Sequence, residues 1–347
     1  MSNTIVNLKQ LSQHLGLSQT TVSRALNGFP EVSERTRKKV QEAAEKLNYR
    51  PSPSASSLAT GKAKIIGHVV PVSEHRMINP HFSDFLAGAS DTYARAGYDL
   101  LIRAATPEQE ADIYRDFVSR NRVDGVVVHG PMVDESRIEL LKSIGLPFVV
   151  HGRAGGEEHS YSWLDVDNRS AIEKLTNYLI DLGHRRIALV NGLESMNFAH
   201  RRRLGYEAAL QQHGIDIDPA LISSADMNEP YGYEATMEKL ALDNPPTAFV
   251  YSSILSAMGG MRAANMHSLR PGKDISLATF DDQLSFLQSK NGASPPPYMT
   301  NVSSSIQEAG RRVGELLIAQ IADPKAPPVC ELWKTNLVVG ESTGRLA

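Results

Sequence analysis

Residues 18–27 carry side chains whose chemistry suits contacts with DNA. An arginine such as Arg24 can donate two hydrogen bonds to guanine, Gln19 suits the edge of adenine, and Thr20 can contact the methyl group of thymine. The other polar side chains of the segment suit phosphate contacts or helix capping, and they are Ser18, Thr21, Ser23 and Asn27. The alternative is that Gln19 and Thr20 only cover a solvated helix face.

A second set of residues suits a sugar, which needs planar hydrogen-bonding groups beside an apolar or aromatic face. Arg201, Arg202 and Arg203 follow one another in a helix-like segment. Because successive residues of a helix point in different directions, at least one of the three must be a solvated surface charge. Asp281 ends the strand-like run DISLATFD, at the edge where parallel sheets bind ligands, whereas Asp282 is expected to cap a turn or helix.

Motifs typical of enzymes are missing from the sequence. There is no G-x-x-x-x-G-K-[ST] phosphate loop, no G-x-G-x-x-G after a strand and no G-x-S-x-G elbow. The eleven histidines lack metal-ligand spacing, and the single cysteine, Cys330, is expected to be a small buried hydrophobic residue. We therefore expect no catalytic residues, no cofactor and no metal. The alternative, an enzyme with an attached DNA-binding head, would require turnover of its ligand.

Three helical patterns within residues 7–47 would hold the DNA-contacting side chains in place. Asn7, with Gln10 three residues later, matches a capping box, and Gly16 ends this helix. Ser18 can cap a second helix, Gln19 to Leu26, and Ser33 a third that runs to Leu47. The third helix should turn its basic side chains outward, and these are Arg37, Lys38, Lys39 and Lys46. Helix, glycine-containing turn and helix is the plan of the helix-turn-helix.

The composition changes twice beyond the third helix. Residues 50–62 are rich in proline and serine, which is typical of a flexible linker, although its second half could become a short helix. From Lys64 onward, short β-branched runs alternate with helical patterns, and this rhythm restarts at the run IALV. Such alternation predicts an α/β core with two doubly wound parallel sheets and a ligand cleft between them.

Charge is distributed unevenly along the chain. Residues 1–62 hold nine Lys and Arg against four Glu, or +5, whereas the remainder holds 27 against 35 Asp and Glu, or −8. A basic head on an acidic body is expected where one end of a protein meets phosphate. The sequence shows neither a signal peptide pattern nor a long apolar run, and one cysteine excludes an internal disulfide. We expect a cytoplasmic protein that works at the nucleoid.

The chain resembles the LacI/GalR (lactose-repressor/galactose-repressor) family of bacterial transcriptional regulators over essentially its whole length. The motifs TVSRALNG, VSERTRKKV, LNYRP and ASSLATG followed by IIG match the family pattern in order and spacing, and NPHF, RRRLGY and DISLATFDD add support. The resemblance implies a headpiece, a hinge helix and a core like periplasmic sugar-binding proteins. The implied divisions are 1–49 for the headpiece, 50–63 for the hinge, 64–164 with 302–328 for the N-subdomain, and 165–301 with 329–347 for the C-subdomain.

For the DNA end, the resemblance places Gln19, Thr20 and Arg24 at the base-reading positions. It implies that paired hinge helices of a dimer lie in the minor groove, where Leu58 would be inserted between bases and Ala55 would allow the partner to approach. The alternative is that Leu58 packs against its own chain. A homodimer implies a nearly palindromic operator. A dimer is favoured over a tetramer because no leucine-heptad tail follows the last strand-like segment.

For the effector end, the resemblance implies that Arg202 is the ligand-clamping arginine and that Asp281 is the acidic residue that pairs with the ligand. Asn79, His81 and Phe82 could line the near side of the cleft, or else Asn79 caps a helix and Phe82 packs in the core. Three positions depart from the family pattern: Ser253 with Ile254 replaces Asn-Asp, His151 and Arg153 follow the run PFVV, and Met227 or Tyr231 occupies the aromatic slot.

These residues favour a repressor of carbohydrate-utilisation genes that is released by a small sugar in the core. The sequence His151-Gly152-Arg153 is similar to regulators of disaccharide and α-glucoside use, although His151 could equally be a structural histidine. The alternative within regulation is a co-repressor, a phosphorylated sugar or a purine, which the arginines at 201–203 keep open.

Overall fold

The computed structural model describes residues 6–49, 60–71, 80–155, 159–281, 283–287 and 298–346. The chain divides into two compact units. The first comprises Met1–Ile65 with Asp116–Asp124, and the second comprises Ile66–Arg115 with Gly125–Ala347. None of the helices described in these ranges is long and apolar enough to cross a membrane.

The first unit contains the three predicted helices, α1 (Leu8–Leu15), α2 (Gln19–Leu26) and α3 (Glu34–Lys46). The capping box at α1 is present in both directions, with the Gln10 amide 3.0 Å from Asn7 Oδ1 and the Asn7 amide 2.9 Å from Gln10 Oε1. Gly16 ends α1 with a φ of 65°, in the left-handed region that glycine tolerates best. The helix-turn-helix prediction is thereby confirmed in its boundaries and caps.

The three helices enclose a small core of fully buried side chains, which are Leu11, Val22, Ala25 and Val40. The prediction that Arg37 points outward is wrong. Its side chain is about three-quarters buried, and one terminal nitrogen donates to the carbonyl of Phe29 across 3.2 Å. A long arginine stem can cover apolar surface while its head satisfies a loop carbonyl, and here it fastens the loop between α2 and α3.

In its described part, the second unit contains two six-stranded sheets. The first sheet has the strand order β11-β5-β4-β3-β1-β2, and the second has the order β12-β10-β9-β8-β6-β7. The strands of the first sheet are β1 (Ile65–Pro71), β2 (Asp99–Ala105), β3 (Gly125–His129), β4 (Phe148–His151), β5 (Ser162–Val166) and β11 (Cys330–Trp333). The strands of the second sheet are β6 (Ile187–Asn191), β7 (Ile222–Ser224), β8 (Ala248–Tyr251), β9 (Ser276–Asp281), β10 (Thr300–Ser303) and β12 (Asn336–Val338).

Helices connect these strands, as the alternating pattern predicted. They are α4 (Pro80–Arg95), α5 (Pro107–Ser119), α6 (Arg137–Ile144), α7 (Asn168–Asp181), α8 (Asn197–Gln212), α9 (Glu229–Leu240), α10 (Ile254–Met266) and α11 (Ile306–Ala322). The central strands are apolar on both faces, and Val126, Val127 and Val128 of β3 are completely buried. The pairs β1–β3, β3–β4, β4–β5 and β5–β11 of the first sheet are parallel, and so are β6–β7, β6–β8, β8–β9 and β9–β10 of the second. Strand β12 joins β10 in the antiparallel direction.

One predicted division needs correction. Residues 329–347 were assigned to the C-subdomain, but β11 pairs with β5 of the first sheet, with Cys330 opposite Trp163. Only the following strand, β12, joins the second sheet. The earlier boundary at 302 also cuts through β10, which lies wholly in the second sheet. The amino-acid sequence of a short strand does not indicate which of two similar sheets the strand extends. Its pairing at a sheet edge depends on where the preceding helix places the chain.

The first sheet is covered by α4 and α11, which pack backbone against backbone. A methyl group on Gly88 would collide with the carbonyl oxygen of Gln307, and one on Gly310 would collide with the carbonyl oxygen of Phe85. Only glycine permits so close a crossing of two helices. The close approach brings Phe85 and Tyr93 of α4 into one core with Val313 and Leu317 of α11.

We expect Gly310→Ala to destabilise the core by about 1–3 kcal/mol through overpacking at this crossing. In a solvated helix the same change would be stabilising by up to about 1 kcal/mol, so the sign of the effect identifies the cause. Denaturant unfolding followed by fluorescence measures it. Glu315→Ala, on the exposed side of the same helix, serves as the control and should change stability by less than about 0.5 kcal/mol. A neutral or stabilising Gly310→Ala would contradict the close crossing.

Candidate functional site: a DNA-reading helix and a polar cleft

Helix α2 presents Gln19, Thr20 and Arg24 to solvent. The opposite face of the helix buries Val22 and Ala25 completely in the headpiece core. Thr20 and Arg24 are four residues apart and therefore lie above one another on the helix surface. The helix thus offers its polar face as one continuous strip, which is the arrangement needed to enter a major groove.

The remaining polar side chains of this segment hold the helix ends. The Ser18 hydroxyl accepts a hydrogen bond from the Thr21 amide across 3.0 Å and lies 2.8 Å from the Thr21 hydroxyl. The side-chain Nδ2 of Asn27 donates to the carbonyl of Ser23 across 2.9 Å. The capping role that the sequence allowed for these residues is therefore present. Ser18 stays exposed, so capping leaves its hydroxyl accessible.

Two residues assigned to the DNA end, Ala55 and Leu58, lie outside the described residues, and so does Asn79 of the effector end. The helices α1 and α3 of the same unit carry further exposed basic side chains, which are Lys9, Arg35, Lys38, Lys39 and Lys46. Such charge supplies the sequence-independent attraction to phosphate on which base reading is superimposed.

In the second unit, the carboxyl ends of the two sheets meet directly. The loop after β3 pairs with the loop after β6: the Val133 amide donates to the Ser195 carbonyl across 2.9 Å, and the Asn197 amide donates to the Pro131 carbonyl across 3.0 Å. Parallel α/β sheets bind ligands outside the carboxyl ends of their strands. The candidate effector residues are therefore to be sought where these two edges face each other.

Arg202 is the buried member of the three consecutive arginines, with a relative exposure of 5%. Its Nε donates to Asn168 Oδ1 across 2.8 Å, and one terminal nitrogen donates to the carbonyl of Ser252. Its guanidinium carbon lies 3.8 Å from the ring centre of Phe280 and 5.0 Å from that of Phe198. A cation held between two aromatic rings and two acceptors has a fixed orientation.

Its two neighbours point elsewhere. The Nε atom of Arg203 lies 2.7 Å from Glu207 Oε1 on the outer side of α8, and that of Arg201 donates to Asn197 Oδ1 across 2.9 Å. Both side chains are only half-buried. Arg202 is thus the buried member of the run, Arg203 is paired outside, and Arg201 stays close enough to Asp165 for its charge to act on that carboxylate.

Arg153 and Arg202 belong to one hydrogen-bonded relay. Arg153 Nε donates to Asp165 Oδ2 across 3.1 Å, and Asn168 Nδ2 donates to Asp165 Oδ1 across the same distance. Asn168 Oδ1 in turn accepts from Arg202. Burial raises the pKa of Asp165 to about 6, although the nearby guanidinium of Arg153 acts in the opposite direction. Asp165 and Asn168 are functional candidates that the sequence interpretation missed; their place at the end of β5 and the start of α7 was the available signal.

A wall of aromatic and imidazole rings stands at the carboxyl ends of β3 and β4. His129 and His151 are register partners at these strand ends. The ring of Phe85 lies 4.8 Å from that of His129 and 4.6 Å from that of His151, and Phe82 lies 5.2 Å from His129. Phe82 and His151 are half-buried, so both packing and ligand contact are compatible with their positions.

A buried histidine, His68 of β1, supports this wall from behind. Its Nδ1 lies 2.8 Å from His129 Nε2, and its Nε2 lies 3.2 Å from the hydroxyl of Tyr93. Burial lowers the pKa of His68 to about 3 and holds the pKa of His129 well below its usual value. The pair is therefore neutral near pH 7. The sequence interpretation overlooked His68 and His129, although both lie in β-branched runs of adjacent strands.

Met227 and Tyr231 are the two candidates for the aromatic position near residue 227. Met227 is half-buried, and a methyl group placed on Gly192 would lie 3.3 Å from Met227 Sδ and 3.1 Å from Cζ of Phe198. Tyr231, the other candidate, uses its hydroxyl to donate to the carbonyl of Asn191 across 3.0 Å. Phe198, which the sequence interpretation did not single out, is thus the aromatic ring beside Met227 and Arg202.

Ser253, Asp281 and His81 complete the candidate set. Ser253 is fully buried and caps α10 by accepting from the Leu255 amide across 3.2 Å. Asp281, at the end of β9, accepts from the Gln283 amide across 2.8 Å and so caps this turn. Asp282 lies outside the described residues, and His81 is half-buried near the start of α4. Within the described ranges, no three His, Cys, Asp or Glu side chains are grouped to hold a metal ion.

Comparison with known proteins supports this geometry. Residues 7–52 match the model of the bacterial regulatory proteins of the lacI family, and residues 176–343 match a periplasmic binding protein-like domain. The chain is 42% identical to the HTH-type transcriptional regulator AglR of Rhizobium meliloti (strain 1021), over 98% of this chain and 94% of that protein.

Two solved structures extend the comparison. One is a complex of the transcriptional regulator CelR with cellobiose, at 26% identity and a TM-score of 0.70 over 97% of this chain and 99% of that one. The other, the Lac repressor dimer bound to operator and an anti-inducer, shares the fold at 24% identity and a TM-score of 0.81, over 98% of this chain and 99% of that one. The headpiece, the two-sheet core and the similarity along the whole chain lead to one conclusion: this protein belongs to the lacI family of bacterial regulatory proteins.

Proposed function

We propose that this DNA-binding transcriptional regulator is a repressor of carbohydrate-utilisation genes, released from a nearly palindromic operator by a small neutral sugar bound in its core. The observation that carries the proposal is the presence, in one chain, of a helix with an exposed polar face in a helix-turn-helix and a separate cleft edge with Arg202, Arg153 and aromatic rings. It acts in the cytoplasm, at the nucleoid, and has no catalytic role of its own.

The sugar is proposed from the chemistry of the cleft edge. Guanidinium and carboxylate groups suit the hydroxyl groups of a sugar, and the rings of Phe82, His151 and Phe198 offer flat apolar faces. The cellobiose complex of CelR supports a glycoside, and a disaccharide or α-glucoside is our choice of class. Arg202 is held by Asn168 and Arg203 is paired with Glu207, so two of the three arginines already have protein partners. This argues against a dedicated phosphate cluster and hence against a phosphorylated co-repressor.

In this proposal, the protein releases the operator because the sugar binds one conformation of the core more tightly than another. A ligand can shift DNA binding only if it binds two conformations of the core with different affinities. Because the Arg153 relay and the loop contacts join the two sheets, a ligand bound between them favours one relative position of the two halves. We propose that, when the two halves take this position, pairing of the hinge segment (residues 50–63) with the hinge segment of a second copy becomes less favourable. Homodimerisation is part of the proposal, since the hinge acts as a pair.

Arg24→Lys should weaken operator binding by about 1–3 kcal/mol, which corresponds to roughly 5- to 150-fold, because lysine cannot reproduce the two-pronged contact with guanine. Fluorescence anisotropy on an operator selected from random DNA measures this loss. The same substitution at Arg35, an exposed arginine of α3, is the control and should change affinity little, since the charge is kept. Equal loss on operator and on unrelated DNA would show that Arg24 contacts phosphate and does not read bases.

Arg202→Lys should abolish release by sugar while leaving operator affinity within about twofold, because lysine cannot replace a planar donor held between two rings. The assay is operator binding with and without a panel of neutral disaccharides, together with the thermal shift that each sugar produces. Arg203→Lys is the matched control, since Arg203 pairs with Glu207 outside the cleft edge. Unchanged release in Arg202→Lys, or equal loss in Arg203→Lys, would refute the assignment.

A further inference from the structure

Asp165 is a buried carboxylate whose position is explained neither by the strand that carries it nor by the hydrophobic core. It lies in β5 between Leu164 and Val166, and 6% of its surface is exposed. Each of its two oxygens accepts a hydrogen bond across 3.1 Å, one from Arg153 and one from Asn168. An ionised group is costly to bury, so a buried carboxylate in this place indicates a requirement for its charge.

The charge it meets is that of a cleft arginine. Arg153 follows β4 on the side where the strands end, and 13% of its side chain remains exposed. Its guanidinium carbon lies 5.4 Å from the ring centre of Trp163, so a ring fixes one side of the group. Asp165 faces its Nε edge. The guanidinium group of Arg153 therefore lies at the cleft while hydrogen-bonded to the carboxylate of Asp165.

The same carboxylate is connected to the second cleft arginine. Asn168 cannot turn its amide without breaking contacts, because its nitrogen donates to Asp165 and to the Val166 carbonyl while its oxygen accepts from Arg202. The relay from Arg153 through Asp165 and Asn168 to Arg202 thus contains one negative charge placed between two positive ones. The carboxylate is hydrogen-bonded directly to Arg153, and the single side chain of Asn168 connects it to Arg202. The positive charge of Arg201 also acts on it.

We propose that Asp165 is a specificity-determining residue, which lowers the positive potential of Arg153 and Arg202 so that the cleft accepts uncharged sugars and discriminates against phosphorylated or acidic ones. The inference rests on the proposed function, since it takes the cleft as the effector site. Like charges placed close together in a partly desolvated site are strongly unfavourable. An anionic ligand that approached either arginine would meet the buried carboxylate behind it.

Asp165→Asn keeps the shape of the side chain and removes its charge. We expect this variant to bind anionic probes at least about tenfold more tightly than the wild-type protein does, while its affinity for neutral sugars stays within about threefold. The probes are two pairs that differ in charge, trehalose with trehalose 6-phosphate and cellobiose with cellobionate, together with inorganic sulfate. Isothermal titration calorimetry on the full chain measures each affinity. Asp165→Ser is the second variant if the asparagine side chain prevents folding.

Two controls separate specificity from general damage. Asp218→Asn removes a carboxylate that lies 2.9 Å from Arg186. Arg186 directly precedes the amino end of β6, so this ion pair lies at the opposite edge of the sheet from the cleft. The variant should therefore leave anion binding unchanged. Arg153→Gln combined with Asp165→Asn removes the cation as well and should abolish most of the gain.

The outcomes are distinguishable from those of the proposed function, because operator binding is measured on the same preparations. A gain for anions in Asp165→Asn that disappears in the double variant supports the proposal, whichever neutral sugar the wild-type protein prefers. No gain in either Asp165 variant, or a wild-type protein that binds trehalose 6-phosphate or cellobionate more tightly than the neutral partner, overturns it. Failure of the wild-type protein to bind operator DNA would instead contradict the proposed function.

Discussion

A guanidinium group cannot be buried unless its charge and its N–H groups find partners, and Arg202 imposes this constraint on the whole cleft edge. Its partners come from separate elements: Asn168 at the start of α7, the Ser252 carbonyl after β8, Phe280 in β9, and Phe198 in its own helix. All of these groups must be in place for burial of the Arg202 guanidinium to be stable. The ends of two strands, the start of one helix and part of another are thereby fixed around one cation.

The same constraint explains why so many polar groups near the cleft are used twice. Asn168 holds Arg202 and Asp165 at once, and Ser253 caps a helix directly after the carbonyl that Arg202 binds. Asp281 closes a turn at the end of β9, the strand whose Phe280 stacks on the guanidinium. A side chain with such structural work to do has little freedom of orientation. A site built this way recognises its ligand with groups that are already in place, which lowers the entropic cost of binding.

Local signals made the first unit predictable from sequence. Asn7 and Gln10 at capping-box spacing, Ser18 and Ser33 before helical periods, and Gly16 after one fixed the helix boundaries, because each of these effects acts within a few residues. Arg37 escaped prediction because its burial depends on a loop carbonyl at Phe29 that no helical period reveals. The alternation of strands and helices likewise predicted the α/β core.

The cleft was predictable only in part. Arg202 could be selected from three neighbours by helical geometry and family spacing, but its acceptor Asn168 lies 34 residues away in the chain, and nothing local joins them. The histidine wall has the same character, since His68 and His129 meet across 61 residues through sheet register. The sheet to which β11 belongs also depends on long-range pairing. Contacts of this kind follow from the folded arrangement, and sequence periods do not encode them.

The crossing of α4 and α11 at Gly88 and Gly310 has a consequence for the order of events during synthesis. The apolar face of α4, with Phe85 and Tyr93, leaves the ribosome more than two hundred residues before the helix that covers it. The edge strand β11 of the same sheet is made later still. The first sheet is therefore completed only after β11 has been made, whereas the headpiece, whose contacts are local, can fold as soon as it emerges. A nascent chain would thus carry a folded DNA-binding end well before its effector-binding core is finished.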